Sequence, residues 1–116
     1  MRREDGDLGY VWDMRQYALE VLEVVREIDE ETFLDDWRSR RIVERCIEVI
    51  GEAASHVSAD FRAQHGDIAW RPIIAQRHVL AHEYGDIRYD AIWRVATIRV
   101  PTLILQLDAI LDAKPQ

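Results

Sequence analysis

The sequence has no long hydrophobic run, since none of its apolar stretches exceeds three residues. A transmembrane helix needs about 20 consecutive apolar residues, and a signal peptide needs an apolar stretch of about 7–15, so we expect neither. Only one cysteine, Cys46, is present, which excludes a disulfide within the chain and favours a reducing, cytoplasmic location. Because Cys46 falls within an apolar helical pattern, we interpret it as a small buried hydrophobic residue.

Lysine is also scarce, since the sequence contains one lysine, Lys114, and fourteen arginines. The net charge of -7 argues against a protein that coats nucleic acid non-specifically, since such proteins carry basic faces. Arginine suits bidentate phosphate contacts better than lysine does, although a compositional bias of the genome would produce the same excess. The charge therefore remains compatible with a locally basic cleft on an acidic protein.

No segment shows the sustained two-residue alternation of a strand, and apolar residues recur instead at helical spacing. We predict a single all-α domain over residues 1–116 with an ordered core at about 10–112. The pattern favours an up-and-down bundle of four to five helices. The long helices are predicted at 10–29, 38–57, 72–82 and 90–112.

Local signals divide these helices. Thr32, with Asp35 three residues later, predicts an N-cap, and Ser58 predicts the cap of a short helical turn through Gln64. Pro72 fits the first turn of a helix, whereas Pro101 should kink or split the last helix. In the second helix the apolar face is wider than one neighbouring helix would cover, which suggests a partner chain as well as a core. The residues that widen this face are Val43, Ile47 and Ala54.

The stretch AQRHVLAHEYGD, residues 75–86, concentrates polar groups at the end of the predicted helix. His78 and His82 are four residues apart and share a helix face, as zinc-binding histidines do, but a zinc site needs three or four ligands. The stretch also fits a polar helix terminus, where cationic side chains interact favourably with the macrodipole. Acid/base chemistry at His82, with Arg77 stabilising charge on a phosphate, is the third interpretation.

Geometry complicates the third interpretation. Five residues at about 100° each separate Arg77 and His82 by roughly 140° around a straight helix. To act on one phosphate they need either a local distortion of the helix or a second chain related by a two-fold axis.

These residues resemble a known family. Arg77, His82 and Tyr84 match the R-x4-H-x-Y signature of HepT-like proteins, which belong to the HEPN superfamily of helical, usually dimeric domains. EVIGEAA at 48–54 and IAWRPIIAQRHVLAHEY at 68–84 resemble the family's second and motif helices. IW at 92–93 and VPTL at 100–103 are similar to its last helix, and the likeness covers about residues 10–112. Ala75-Gln76 departs from a glycine that the family often has before the motif.

The resemblance implies a metal-independent endoribonuclease without cofactors, which acts as a homodimer on RNA. His82 would be the general acid or base, Arg77 would stabilise the transition state, and His78 would be a supporting polar residue. Neither DNA nor a membrane is expected as a partner.

The resemblance also implies that the protein is the toxin of a type VII toxin–antitoxin pair. The antitoxin would be a minimal, MntA-like nucleotidyltransferase that transfers AMP to Tyr84. The alternative is a non-catalytic binding subunit of that nucleotidyltransferase, with Tyr84 as a docking point or acceptor.

Residues outside the motif are open to two interpretations. Arg38, Arg40, Arg41 and Arg45 form a basic cluster that we expect to be a solvated face paired with Asp35, Asp36 and Glu44; contact with the RNA backbone is the alternative. The four tryptophans are interpreted as core or interface anchors rather than base-stacking platforms; they are Trp12, Trp37, Trp70 and Trp93. Glu52, in the family-like GEAA segment, is a candidate for orienting motif side chains.

Overall fold

The computed structural model describes residues 6–82 and 88–113, except for the side chains of residues 77–82. All regular secondary structure in these ranges is helical, which confirms the predicted all-α class. The helices are α1 Asp7–Val25, α2 Glu30–Asp35, α3 Trp37–Ser55, α4 Ala59–Gln64, α5 Trp70–His82, α6 Tyr89–Arg94 and α7 Val100–Ala113, with a π-helical turn, Val95–Arg99, between the last two. The described part holds more helical segments than predicted, because α2 and α4 are separate helices and the last helix is divided.

The starts of α2 and α3 depend on aspartate caps. α1 ends at Val25, four residues before the predicted limit at residue 29. The cap of α2 is Asp29, whose side chain accepts a hydrogen bond from the Thr32 backbone N–H at 2.8 Å. The prediction of Thr32 as N-cap is therefore wrong, because the carboxylate three residues earlier satisfies that N–H first. Asp36 caps α3 in a similar way by accepting from the backbone N–H of Arg38.

α3 is the central helix, since it packs against both α1 and α5. Val43, Ile47 and Ala54, the residues that widen its apolar face, are buried within this single chain. The width of the stripe is thus explained by two neighbouring helices and needs no partner chain. Ile42, predicted to lie in the stripe, is instead 47% exposed.

α4 and the start of α5 form a compact connection that returns the chain to α3. Ser58 caps α4 as predicted, since its Oγ accepts from the Phe61 N–H at 3.2 Å. The buried indole of Trp70 donates to the carbonyl oxygen of His65 at 3.0 Å, which fixes the start of α5. Pro72 lies in the first turn of α5, where its missing N–H costs no helical hydrogen bond.

The C-terminal helical segment passes Pro101 through a π-helical turn. The Val100 N–H bonds to the Val95 carbonyl five residues earlier, and Thr97 Oγ1 donates to the Trp93 carbonyl at 2.8 Å. Pro101 has no N–H, and its ring would crowd the preceding turn of a regular α-helix. The wider π turn immediately before it relieves that crowding, so the predicted irregularity takes this form.

The core lies where α1, α3 and α7 meet. Its fully buried side chains include Met14, Val21, Val43 and Leu107. Trp70 is buried, and Trp93 packs against Phe33 with ring centroids 5.2 Å apart, so these two tryptophans are core anchors as predicted. Among the described helices, none is both long and apolar enough to cross a membrane.

Candidate active site

α5 carries three of the candidate residues in its final two turns. The backbone from Trp70 to His82 is a continuous α-helix, and Arg77, His78 and His82 belong to it. The side chains of these three residues lie outside the described part of the structure, and Tyr84 lies in the segment 83–87, which is also outside it. The site can therefore be characterised from the helix that carries the motif and from the described side chains around it.

The first half of α5 is anchored by apolar contacts. Ile73 and Ile74 pack against the core, and Trp70 is 7% exposed. Ile73 and Gln76 also line a groove together with Ile47 and Ile50 of α3. This anchoring holds the start of α5 beside the C-terminal half of α3.

The chain that follows the motif returns to the N-terminal half of α3. α4 lies in the connection between α3 and α5, which pack against each other. Seven residues after His82, Tyr89 Oη donates to Glu44 Oε1 at 2.9 Å. The chain beyond the motif is thus held at the end of α3 that carries its arginines.

Tyr89 joins the last helix to this end of α3. Its pKa is raised, chiefly because burial disfavours the phenolate and then because the Glu44 carboxylate accepts its hydrogen bond. The Arg40 guanidinium lies over the Tyr89 ring, 5.0 Å from its centroid. At neutral pH Tyr89 is therefore a protonated hydrogen-bond donor.

The arginines of α3 are not paired as the sequence predicted. Asp36 accepts from the Ser39 hydroxyl at 2.7 Å and from the Arg38 backbone N–H, while Glu44 accepts from Tyr89. Of the α3 arginines, only Arg45 forms an ion pair in the described part, with Glu48 at 2.9 Å. The expected solvated face is present, and the pKa of the Asp36 carboxyl is lowered, chiefly by the Ser39 hydrogen bond and also by attraction to the Arg38 charge. The expected direct pairs with Asp35, Asp36 and Glu44 are not formed among the described residues.

An open apolar groove of about 630 Å³ lies between α3, α5 and the C-terminal helical segment. Ile47, Ile50, Ile73 and Leu103 line it, and Gln106 closes one end by donating to the Asp67 carbonyl at 2.8 Å. Ile98, which also lines the groove, is 64% exposed, and Leu105 of the same helical segment is 71% exposed. Because they are seven residues apart, these two side chains form one apolar ridge along the helix.

The described residues offer no metal site, since no group of three or more His, Cys, Asp or Glu side chains comes together among them. This finding does not include the side chains of His78 and His82. Cys46 is buried against Glu20, and burial raises the pKa of its thiol to about 12. Glu52 Oε2 lies 2.9 Å from His56 Nε2, within hydrogen-bond distance.

Two features of this region were not predicted from the sequence. Tyr89 was not singled out, although its place shortly after the motif was visible in the sequence. The exposure of Ile98 and Leu105, which form the ridge, could not be predicted from the apolar pattern of the last helix, because buried and exposed apolar residues follow one another in the same stretch.

Comparison with known proteins identifies the family. The profile described as "Ribonuclease HepT-like" matches residues 14–110, a range that includes every motif residue. A protein of Thermococcus cleftensis named "Probable ribonuclease HepT" is 32% identical over 103 residues, which cover 89% of this chain and 92% of that protein.

Two further relatives carry provisional RNase names. The one from Caldanaerobacter subterraneus is 34% identical over 79% of this chain and 82% of its own length. The one from Methanocaldococcus jannaschii is 28% identical over 88% of this chain and 94% of its own length. No solved structure matches the chain at a significant level. The matched profile and these relatives show that the chain belongs to the HepT-like ribonuclease family.

Proposed function

We propose that the protein is a metal-independent endoribonuclease that acts as a homodimer. The observation that carries this proposal is the family match over residues 14–110, within which Arg77, His82 and Tyr84 complete the R-x4-H-x-Y motif. The relatives named as ribonucleases support RNA as the substrate.

In the proposed reaction the 2′-hydroxyl of RNA attacks the adjacent phosphorus in line. His82 accepts the hydroxyl proton as the new P–O bond forms, and a proton returned to the 5′ oxygen accompanies the breaking of the other P–O bond. Arg77 stabilises the negative charge on the phosphoryl oxygens in the transition state. The products are a 2′,3′-cyclic phosphate and a 5′-hydroxyl, and His78 supports the polar wall of the cleft.

The continuous α-helical backbone of α5 favours a shared cleft over a distorted helix. The backbone positions of residues 77 and 82 are roughly 140° apart around such a helix, which is hard to reconcile with one chain supplying both groups to one phosphate. In a two-fold dimer, Arg77 of one protomer and His82 of the other can face the same phosphate.

The apolar ridge of Ile98 and Leu105 supports the dimer. It lies next to the groove lined by Ile47, Ile50 and Ile73, so one surface offers both a projection and a recess. A two-fold axis makes such a surface self-complementary, because each ridge can enter the groove of the other protomer.

Tyr84 is the proposed point of control. A minimal nucleotidyltransferase antitoxin would transfer AMP from ATP to the tyrosine oxygen, forming a Tyr–O–P bond and releasing pyrophosphate. The added bulk and negative charge, two residues from His82, would repel the RNA phosphate. The protein would then be the toxin of a toxin–antitoxin pair, and this part of the proposal rests on the Tyr84 position in the motif.

The nuclease is tested with protein expressed without its partner and assayed on RNA in EDTA. We expect cleavage by the wild type, a loss of about 10²–10⁴-fold for His82→Ala and a loss of about 10²–10³-fold for Arg77→Ala. His56→Gln is the matched control, because His56 is an exposed histidine at the other end of α3. Wild-type cleavage by His82→Ala would remove that residue from the mechanism.

The shared cleft is tested by mixing the two inactive variants. In a mixed dimer of Arg77→Ala and His82→Ala chains, one cleft keeps both groups only if they come from different chains, so part of the activity returns. If mixing restores nothing while the variants exchange subunits, each chain supplies both groups to its own cleft. If the wild type never cleaves RNA but binds the nucleotidyltransferase, the non-catalytic subunit is the correct function.

A further inference from the structure

The N-terminal half of α3 presents guanidinium groups that form no direct ion pair among the described residues. Arg38 and Arg41 are exposed and Arg40 is half-buried. Arg40 donates to the Leu34 carbonyl, and the neighbouring carboxylates of Asp36 and Glu44 accept hydrogen bonds from Ser39 and Tyr89. The exposed N–H groups of Arg38 and Arg41 thus remain available to a ligand.

Two aromatic rings hold the guanidiniums in place. The Arg38 guanidinium lies 4.8 Å from the centroid of the Trp37 ring, and Arg40 lies over Tyr89 at 5.0 Å. A guanidinium stacked on a ring keeps its N–H edge free for a bidentate phosphate contact. Trp37 is 52% exposed, an unusual exposure for a tryptophan, so its ring is accessible to a flat ligand.

Helical spacing puts these groups on one surface. Trp37, Arg38 and Arg41 fall on the solvent side of α3 within about 100° of arc, opposite the buried Val43 and Cys46. They occupy the end of α3 to which the chain returns at Tyr89, seven residues after His82. A strand bound there would lie near the proposed cleavage site.

We propose that Arg38 and Arg41 bind the phosphates of single-stranded RNA beside the scissile bond, and that Trp37 stacks on one of its bases. This inference rests on the proposed ribonuclease function and assigns its substrate-binding surface. Arginine edges combined with an exposed ring are the pairing used by proteins that hold single strands. An acidic protein partner could bind the same two arginines, but such a partner would not account for the exposed Trp37 ring.

The test measures binding separately from cleavage. Wild-type protein is titrated with a fluorescent single-stranded RNA whose 2′-hydroxyls are methylated, so that it cannot be cut, over a series of salt concentrations. For Arg38→Gln/Arg41→Gln we expect Kd to rise by about tenfold and the slope of log K against log salt to become shallower by about 1.4, since each phosphate contact on a single strand contributes about 0.7. Trp37→Ala should raise Kd about fivefold or more at an unchanged salt slope.

Arg71→Gln is the matched control, because Arg71 is an exposed arginine on the first turn of α5 and its loss removes the same charge elsewhere. It should leave Kd and the salt slope unchanged, and circular dichroism should show the same helicity for all variants. With cleavable RNA, the Arg38→Gln/Arg41→Gln variant should raise KM while kcat at saturating RNA is retained.

The proposal is overturned if the double variant binds RNA with the wild-type Kd and salt slope. It is also overturned if these substitutions weaken only the complex with the nucleotidyltransferase, since the surface would then bind protein. The failure of this proposal can be distinguished from the failure of the proposed function. Tight, Arg38-dependent RNA binding without cleavage contradicts the nuclease alone. Normal cleavage by the double variant with unchanged KM contradicts this RNA-binding surface alone.

Discussion

Cys46 lies between α1 and α3, where its thiol contacts Glu20 with Sγ and Oε1 3.7 Å apart. Burial first, and then the nearby Glu20 charge, raises the pKa of this thiol to about 12. Only the thiolate is nucleophilic, so the position that the sequence suggested, a buried structural residue, also makes the group chemically inert.

We therefore expect Cys46 of the folded protein to react with a thiol reagent at pH 8 about a thousandfold more slowly than an unperturbed thiol, as the three-unit rise in pKa requires. The same protein in denaturant is the control and should react rapidly. Above pH 9 the unfolded chain loses this proton while the folded chain keeps it, so the group favours unfolding increasingly up to about pH 12. Rapid labelling of the native protein would contradict the burial of Cys46.

At the scale of single residues, the sequence correctly predicted those structural roles that depend on nearby positions in the chain. The burial of Cys46, the Ser58 cap and the Trp70 and Trp93 anchors are confirmed. The α3 arginines are solvated as predicted, but their expected direct pair with Glu44 is not formed, because Tyr89, 45 positions away, donates to that carboxylate. The roles of Arg77, His82 and Tyr84 stay predictions.

Among the helices, the short α4 is connected to the start of α1 through its N-cap residue. Ser58 Oγ caps α4 and also donates to Asp7 Oδ2 at 2.7 Å, while the Ser58 N–H donates to Asp7 Oδ1 at 2.7 Å. This cap ties the start of α1 to the connection that leads into α5.

Ser58→Ala should lower the free energy of unfolding by about 0.5–2 kcal/mol, because the cap of α4 is lost. Denaturant unfolding followed by circular dichroism measures the change. Ser55→Ala is the matched control, since the Ser55 hydroxyl only donates to the Glu52 carbonyl inside α3 and alanine is the better helix former. A loss for Ser55→Ala as large as that for Ser58→Ala would show that the cap is not the cause.

The π-helical turn is the element that sequence patterns describe least well. Pro101 indicated an irregularity, but a kink, a split and a π turn all accommodate a missing N–H. The choice follows from packing, since Ala96, Val100 and Leu103 around the turn are all buried. The widened turn lets the helix pass Pro101 and keep these side chains in the core.

For the whole molecule, the unpartnered ridge of Ile98 and Leu105 is the most informative surface. Leu107, two residues from Leu105, is fully buried while Leu105 is 71% exposed, so the two leucines lie in different environments. Leu107 supports the core, and Leu105 lies on the surface that the proposed homodimer would cover.

Leu105→Glu should convert the proposed homodimer to monomers, because it places a charge on the apolar ridge. Nuclease activity should fall with it, since the shared cleft is lost. Light scattering or sedimentation measures the mass of the particle, and circular dichroism should show an unchanged helical content. Leu34→Glu is the control, because Leu34 is also exposed, at 37%, but lies on α2. A dimer that survives Leu105→Glu would place the interface elsewhere.

The sequence by itself determined the helices, most of the buried positions and the family, because periodicity, caps and an ordered motif are all local patterns along the chain. Only the tertiary structure decided which faces are covered. The wide apolar face of α3, suggested as an interface, is filled by α1 and α5, whereas the exposed apolar ridge belongs to the last helix. It also decided which ion pairs form, since a carboxylate can accept hydrogen bonds at a helix cap or from a distant tyrosine instead of pairing with the arginine beside it. Both outcomes depend on which segments meet in space, and spacing along one chain does not contain that information.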